Sequence, residues 1–243
     1  MLQDARGVAV LTGSGISAES GVPTFRDAQT GLWSRYEPQE LATPEAFARD
    51  PRLVWEWYAW RRELVKQAAP NPGHRALAAL EARVPGVVLI TQNVDGLHQR
   101  AGSQNVTELH GNIMRSKCSV EVIVVEPRED DLGIPPSCPN CGAFLRPDLV
   151  WFGEVLSVRA FEGALEAARG CDLFLSVGTS GLVQPAASLA LDALRNGAVI
   201  AEINPNETPL SRYAEYLLQG RAGEVLPALV EAAFGTDPEG DRG

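Results

Sequence analysis

The sequence lacks the features that mark membrane, secreted and nucleic-acid-binding proteins. No apolar run approaches the roughly 18 residues that a helix needs to span a bilayer. The first residues show no basic stretch followed by a hydrophobic run, so they predict no signal peptide. Basic residues number 21 against 31 acidic residues, and the net charge of −10 argues against nucleic acid or an anionic membrane as the main partner. We therefore expect a cytoplasmic protein.

Cysteine is also scarce, with 4 residues in 243. In a cytoplasmic chain these cysteines indicate a metal site rather than disulfides. Cys138 and Cys141 form a Cys-x-x-Cys knuckle, whose expected upstream partner has Cys118 but Glu121 in place of the second cysteine. We expect one structural zinc ion on the three thiolates. Glu121 could complete the tetrahedron, since zinc accepts carboxylate oxygen; alternatively, water takes the fourth place, or the metal is weakly bound or absent.

The chain does contain a regular alternation of short apolar runs and helical patterns. Continuous rather than alternating hydrophobicity indicates strands that are covered on both faces. Strands that alternate with helices predict an α/β fold with a Rossmann-like, doubly wound parallel sheet. The predicted strands are residues 7–12, 87–91, 172–177, 198–203 and 215–218, and the predicted helices are residues 72–83, 161–169, 184–196 and 223–234.

Two stretches interrupt this alternation and predict a smaller inserted domain. Residues 35–69 have a helical pattern and are rich in tryptophan, and residues 113–148 contain Cys118, Cys138 and Cys141. We expect the second stretch to form a zinc-ribbon-like unit. The predicted Rossmann-like core comprises residues 1–34, 70–112 and 149–234, and residues 235–243 are expected to form a disordered tail.

A glycine-rich turn follows the first predicted strand. Residues 13–18 fit the pattern G-x-G-x-x-G/A, in which small residues let the backbone approach a pyrophosphate at a helix N-terminus. A tight strand-to-helix turn without a ligand is the alternative interpretation. A dehydrogenase would build its second strand next, but this chain continues with Phe25, Arg26 and Asp27 in a loop that could fold over a bound cofactor.

Several further motifs follow in a fixed order along nearly the whole chain. They are Gln-Asn-Val-Asp at 92–95, His-Gly at 110–111, the cysteine cluster, Trp-Phe-Gly-Glu at 151–154, Gly-Thr-Ser at 178–180 and Asn-Pro-Asn at 204–206. With residues 13–27 and Gly-Leu-Trp at 31–33, these motifs resemble the sirtuin family. One departure is Ser14, where the family usually has alanine, and we expect the added hydroxyl to be tolerated.

The resemblance implies that His110 is the general base, acting on a hydroxyl of the nicotinamide ribose, with Asn93 near the nicotinamide. A neutral imidazole at a strand end can accept a proton near pH 7. From the residues alone, a strand-end histidine bonded to the backbone is the alternative. The other two histidines, His74 and His98, are assigned no chemical role.

The resemblance also implies which residues bind NAD and an acylated lysine peptide. The NAD-binding set is Gly13, Ser14, Gly15, Phe25, Arg26, Trp33, Gln92, Asn93, Asp95, Gly178, Thr179, Ser180, Asn204, Asn206 and Ala222. The peptide-binding set is Phe152, Gly153 and Glu154 on one side and Leu182 and Val183 on the other. A peptide held between them as an added strand gains affinity from main-chain pairing, with little selectivity for sequence.

The predicted helix around Tyr58 carries a positive charge on an otherwise apolar face. Val54, Tyr58, Arg61 and Val65 share this face at helical spacing. A guanidinium there needs an anionic partner, because an unpaired buried charge is costly. The alternative is that Glu56 or another internal carboxylate pairs with it, or that the side chain reaches solvent. The Tyr-x-x-Arg pattern is similar to that of sirtuins that prefer acidic acyl groups. This similarity implies that Tyr58 and Arg61 hold the carboxylate of succinyl-, malonyl- or glutaryl-lysine.

We predict an NAD-dependent protein-lysine deacylase that prefers succinyl and malonyl groups to acetyl and that releases nicotinamide and O-acyl-ADP-ribose. A mono-ADP-ribosyltransferase on the same fold and a non-catalytic NAD-sensing module are the alternatives. The intact catalytic and cofactor motifs argue against the sensing module. The Tyr-x-x-Arg pair argues against the transferase, because the pair has a use only when an acyl chain enters the site.

Overall fold

The computed structural model describes residues 2–22, 36–127 and 133–235, and six strands form its main sheet. They are β1 (Val8–Thr12), β2 (Val87–Thr91), β3 (Val106–Glu108), β6 (Leu173–Val177), β7 (Val199–Asn204) and β8 (Tyr216–Gln219). All neighbouring pairs are parallel, in the order β3-β2-β1-β6-β7-β8. The chain builds outward from β1 in one direction and then in the other, which confirms the predicted doubly wound α/β fold.

Helices connect and cover these strands. They are α1 (Ser14–Ala18), α2 (Pro38–Leu41), α3 (Pro44–Arg49), α4 (Pro51–Gln67), α5 (Pro72–Arg83), α6 (Leu97–Arg100), α7 (Val158–Gly170), α8 (Leu189–Arg195) and α9 (Ala222–Phe234). Thr43, Asp50, Asn71 and Ser157 each accept a backbone hydrogen bond from the first turn of the helix that follows them. Within the described ranges, no helix combines the length and apolar character needed to cross a membrane.

Strand β1 lies at the centre of the sheet, and all five of its residues are buried. Its alternate side chains pack into different layers. Val10 belongs to a cluster with Leu80 of α5 and Leu226 of α9. Leu11 belongs to a second cluster with Ala164 of α7, on the opposite face. This two-sided covering is the physical reason for the continuous apolar run.

Two predicted helices differ from the observed ones at their starts. Helix α7 begins three residues earlier than residue 161, because the hydroxyl of Ser157 accepts a hydrogen bond from the Ala160 N–H at 3.4 Å. The predicted helix 184–196 instead opens with a 3₁₀ turn, Ala186–Ser188, before α8. The Ser188 hydroxyl donates to the Pro185 carbonyl at 2.8 Å and tightens this turn.

A second, smaller sheet lies outside the main one. Its strands β4 (Gly111–Cys118) and β5 (Leu145–Leu149) are antiparallel. Trp57 and Tyr58 of α4 share a separate hydrophobic cluster with Ile113 of β4. Arg62 fastens the helix to the sheet by donating to the carbonyls of Ile113 at 2.6 Å and Arg115 at 2.9 Å. The helical and ribbon parts of the predicted insertion therefore pack together, while their exact sequence boundaries stay a prediction.

Gly111 leads from the main sheet into β4, and we predict that its replacement destabilises the fold. It has φ +81, and a Cβ would overlap the carbonyl oxygen of Asp148 on β5. Gly111→Ala is expected to lower the free energy of unfolding by ~1–3 kcal/mol. Urea unfolding followed by circular dichroism measures the change.

The matched control for this prediction is Gly163→Ala in α7. An added Cβ at Gly163 has no atom within 4 Å, so this variant should gain ~0.5–1 kcal/mol from helix propensity. A Gly111→Ala protein as stable as the wild type would contradict the expected clash.

Candidate active site

The carboxyl ends of neighbouring parallel strands bring the predicted cofactor motifs to one edge of the sheet. The Gly13 N–H donates to the Val177 carbonyl at the end of β6 at 3.1 Å. The Asn204 side chain at the end of β7 donates to the Thr179 carbonyl at 2.7 Å. The Gln92 N–H, just after β2, donates to the Thr12 carbonyl at 3.0 Å. Ligands bind at this edge in open α/β sheets.

Two glycine turns meet at this edge in direct backbone contact. The Gly15 N–H donates to the Gly178 carbonyl at 2.9 Å. A Cβ on Gly178 would lie 2.6 Å from the Ile16 nitrogen, and one on Gly15 would lie 2.8 Å from the Gly178 backbone. Gly178 also has φ +59, which favours glycine. The glycines in residues 13–18 therefore allow two loops to pack closely, in addition to any role in letting the backbone approach a pyrophosphate.

Asn93 ties the segment that follows β2 to the glycine turn. Its amide donates to the Gly13 carbonyl and to the Ser17 hydroxyl, both at 3.0 Å. Ser17 in turn donates to the Asp95 carboxylate at 2.7 Å, which also accepts from the Leu97 N–H at 2.9 Å. Burial raises the pKa of the Asp95 carboxyl, and the two hydrogen bonds oppose that rise.

Sequence reasoning missed Ser17. It lies one helical turn after Gly13 in α1, so the turn that places the glycines also directs this hydroxyl toward the end of β2. The four-residue spacing between Gly13 and Ser17 is the sequence feature from which this position could be predicted.

His110 is held in one tautomer by the backbone. Its Nδ1 lies 3.0 Å from the Gln92 carbonyl oxygen. A carbonyl only accepts, so Nδ1 carries the proton and Nε2 of the neutral ring is left able to accept one. Burial lowers the pKa of His110, and the contact with Gln92 opposes that shift. The imidazole is therefore neutral at pH 7, as a general base must be.

His74 and His98 lie beneath the site as neutral, buried rings, with centroids 4.9 Å apart. His98 Nε2 lies 2.9 Å from the Thr12 hydroxyl. His74 caps α5 with Asn71, and its Nε2 lies 3.4 Å from the Ser17 hydroxyl. Burial lowers the pKa of His74 to about 4 and that of His98 to about 3. His98 therefore positions Thr12, and His74 positions Ser17 and Asn71, by hydrogen bonding.

The Tyr-x-x-Arg pair lies on the inner face of α4. Tyr58 is 3% exposed, and its hydroxyl accepts a hydrogen bond from the Trp151 indole at 2.9 Å. The Arg61 guanidinium lies 5.3 Å from the Trp57 ring centroid. Burial lowers the pKa of Arg61 despite the opposing effect of Tyr58. Glu56, the alternative partner considered for this guanidinium, pairs with Arg52 at 2.7 Å.

The predicted peptide-binding segments present apolar side chains to solvent. Phe152, Leu182 and Val183 are exposed. Glu154 differs from them, because its carboxylate accepts two hydrogen bonds from Arg146, both at 2.7 Å, and one from the Trp151 N–H at 2.8 Å. Its side chain thus braces the loop, and its backbone N–H donates to the Trp151 carbonyl at 3.0 Å. Gly153 between them has φ +85.

The predicted metal ligands converge at the ends of β4 and β5. One donor atom from each of Cys118, Glu121, Cys138 and Cys141 lies within 4.8 Å of the others. Cys118 Sγ is 3.4 Å from Cys141 Sγ, and Cys138 Sγ is 3.8 Å from a Glu121 oxygen. Ligands of a tetrahedral zinc are about 3.4–3.8 Å apart. The four residues therefore fit a structural zinc ion, with Glu121 as the fourth ligand.

The Sir2 family model matches residues 13–185. The chain belongs to the Sir2 family. It is 56% identical over 236 residues to NAD-dependent protein deacylase 2 of Pyrobaculum aerophilum, covering 95% of this chain and 92% of that relative. A crystal structure of a Sir2 homologue–NAD complex aligns with a TM-score of 0.88 at 49% identity, covering 96% of this chain and 91% of that one. A mutant Sir2 homologue bound to 2′-O-acetyl-ADP-ribose aligns with a TM-score of 0.87 at 48% identity, covering 96% of this chain and 94% of that one.

In this Sir2 family member, most of the predicted NAD-binding residues that the structure describes lie at this one edge. Ser14 and Asn206 are exposed, and Ala222 is the first residue of α9. Ser180 follows Thr179 and is half-buried. Phe25, Arg26, Asp27 and Trp33 lie outside the described residues.

The Cys₃Glu donor set generates a prediction about metal affinity. Glu121→Cys is expected to slow zinc release to a chromophoric chelator on the order of tenfold, because thiolate suits zinc better than carboxylate. Glu121→Gln is expected to accelerate release. Glu126→Gln, an exposed carboxylate outside the cluster, is the control. Identical release rates for the wild type and Glu121→Gln would exclude Glu121 as a ligand.

Proposed function

We propose that this protein removes acyl groups from protein lysines at the expense of NAD, with a preference for succinyl and malonyl groups, and releases nicotinamide and O-acyl-ADP-ribose. The observation that carries the proposal is the fixed tautomer of His110 beside Gln92, at the sheet edge where the glycine turns meet. Relatives at about half identity carry the name NAD-dependent protein deacylase, which supports the same activity. A location in the cytoplasm stays a prediction.

In the proposed reaction, NAD supplies the ribose carbon that loses nicotinamide and receives the acyl oxygen. His110 Nε2 takes the proton from a ribose hydroxyl. The Gln92 carbonyl accepts from Nδ1–H, so Nε2 is the nitrogen that receives this proton. Asn93 donates to the Ser17 hydroxyl at 3.0 Å, and Ser17 donates to the Asp95 carboxylate at 2.7 Å, so both side chains are oriented by Ser17. The 2′-O-acetyl-ADP-ribose complex of a relative is consistent with the proposed product class.

The preference for acidic acyl groups rests on Tyr58 and Arg61. A hydroxyl and a guanidinium on one buried helix face form a donor pair for a carboxylate at the tip of an acyl chain. Burial weakens competition from water for both groups. An acetyl group ends in a methyl, which can accept neither hydrogen bond. The same pair has no use in transferring ADP-ribose to a protein side chain, which weighs against that alternative.

Arg61→Met tests the preference. A charge-assisted hydrogen bond contributes about 1.5–3 kcal/mol, so the ratio of kcat/KM for matched succinyl and acetyl peptides should fall roughly 10- to 150-fold. Arg52→Met, on the exposed side of the same helix, should leave the ratio unchanged. An unaltered ratio in Arg61→Met would remove the assignment. Label from NAD on protein rather than on acyl-ADP-ribose would favour the transferase.

The pH dependence tests His110 as the base. Because burial lowers its pKa, the ring stays neutral below its ordinary pKa near 6.5, and activity is lost only as pH falls through the lowered value. The kcat/KM profile on an acetyl peptide, whose acyl group does not titrate, should therefore hold its plateau below pH 6.5. NMR titration of the ring, assigned with His110→Tyr, measures the same pKa directly. A ring pKa at or above 6.5 would contradict the assignment.

A further inference from the structure

Trp151, to which the sequence alone assigned no role, contacts Tyr58 of the proposed acyl-binding pair directly. Its indole Nε1 donates to the Tyr58 hydroxyl at 2.9 Å, and the two rings are stacked at an interplanar angle of 19°. Both side chains are 3% exposed. Water therefore has little access to this hydrogen bond.

The indole itself is fixed from several sides. The Arg146 guanidinium lies 3.4 Å from the centroid of the Trp151 ring and is paired with Glu154 through two bonds of 2.7 Å. Glu154 also accepts the Trp151 backbone N–H at 2.8 Å. Phe47 packs against the ring with centroids 5.4 Å apart. The direction of the indole N–H is thus set before any substrate enters.

A fixed indole N–H controls what the Tyr58 hydroxyl can do. An indole only donates, whereas a phenol has one donor proton and two acceptor lone pairs. The bond from Trp151 occupies one lone pair, so the hydroxyl proton must go to a different acceptor. Burial raises the pKa of Tyr58, which keeps that proton in place.

We propose that Trp151 is a positioning residue for acyl selectivity: its indole N–H sets the Tyr58 hydroxyl as a hydrogen-bond donor toward the carboxylate of an acidic acyl group. This inference rests on the proposed acidic-acyl preference. A carboxylate accepts the Tyr58 proton and an Arg61 donor together. An acetyl methyl accepts neither and leaves the preset hydroxyl without a substrate partner.

The test compares Trp151→Phe with the wild type on matched succinyl and acetyl peptides. Phenylalanine keeps a stacked ring over Arg146 but has no N–H, so the Tyr58 hydroxyl is free to rotate. We expect KM for the succinyl peptide to rise about fivefold, as the loss of one ordinary hydrogen bond predicts. We expect kcat on the succinyl peptide to stay within about twofold of the wild type, because a lost binding contact raises KM without changing kcat. We expect kcat and KM on the acetyl peptide to stay within about twofold as well, because the acetyl group makes no such contact.

Two controls separate this role from general support of the fold. Phe47→Leu loosens packing on Trp151 without removing the hydrogen bond, so it should not alter the succinyl-to-acetyl ratio. In a Tyr58→Phe background, Trp151→Phe should have no further effect on that ratio, because the two residues act through one bond. An effect of full size in that background, or an equal effect of Phe47→Leu, would overturn the proposal.

The remaining outcomes are also decisive. A wild type that prefers succinyl peptides and depends on Arg61, but whose ratio is insensitive to Trp151→Phe, overturns only the role of Trp151. A wild type without any acidic preference overturns both that preference and this role. If Trp151→Phe does not fold, the indole N–H resonance of Trp151 in the otherwise native protein decides the question. It should shift in Tyr58→Phe and on binding of a succinyl peptide; an unchanged resonance in both cases overturns the proposal.

Discussion

The contact between the two glycine turns is the constraint on which the rest of the site depends. Strands β1 and β6 pair in register to Thr12 and Val177, so the turns that follow must pass within touching distance. Only glycine at 15 and 178 lets the two backbones meet without a side chain between them. This contact sets where α1 begins and hence where Ser17 points. The positions of Asn93 and Asp95, which hydrogen-bond to Ser17, therefore depend on the contact between the two turns.

The ionisable side chains on the floor of the site are buried, and burial disfavours their charged forms. Burial keeps the histidine rings neutral at pH 7 and raises the pKa of Asp95. Hydrogen bonds with neighbouring groups orient these side chains and offset the cost of burying polar groups. Two arginines outside this floor are also buried or half-buried. Arg146 pairs with Glu154, and the Arg61 guanidinium lies near the Trp57 ring on the helix of the smaller sheet.

The smaller sheet positions residues near Tyr58 as well as the predicted metal ligands. Its strand β5 leads into Trp151, which bonds to Tyr58 on α4 and is braced by Glu154 from the exposed loop that follows. One connected set of contacts thus joins the acyl pair to the segment expected to pair with a peptide. The ligand cluster closes the far end of β4 and β5, where Cys118 is fully buried. A zinc ion held there would tie the ends of these two strands together.

The sequence by itself determined the parallel sheet, since β-strands buried on both faces must be apolar throughout, and it determined the order of motifs at the strand ends. It also indicated Tyr58 and Arg61, because residues three apart share a helix face. It could not reveal Ser17, the tautomer of His110, the pairing of Glu154 with Arg146 or the bond from Trp151. Tyr58 and Trp151 are 93 residues apart, and the His110 contact spans 18. Such contacts follow no local periodicity, and only the packing of distant strands and helices brings the donors to their acceptors.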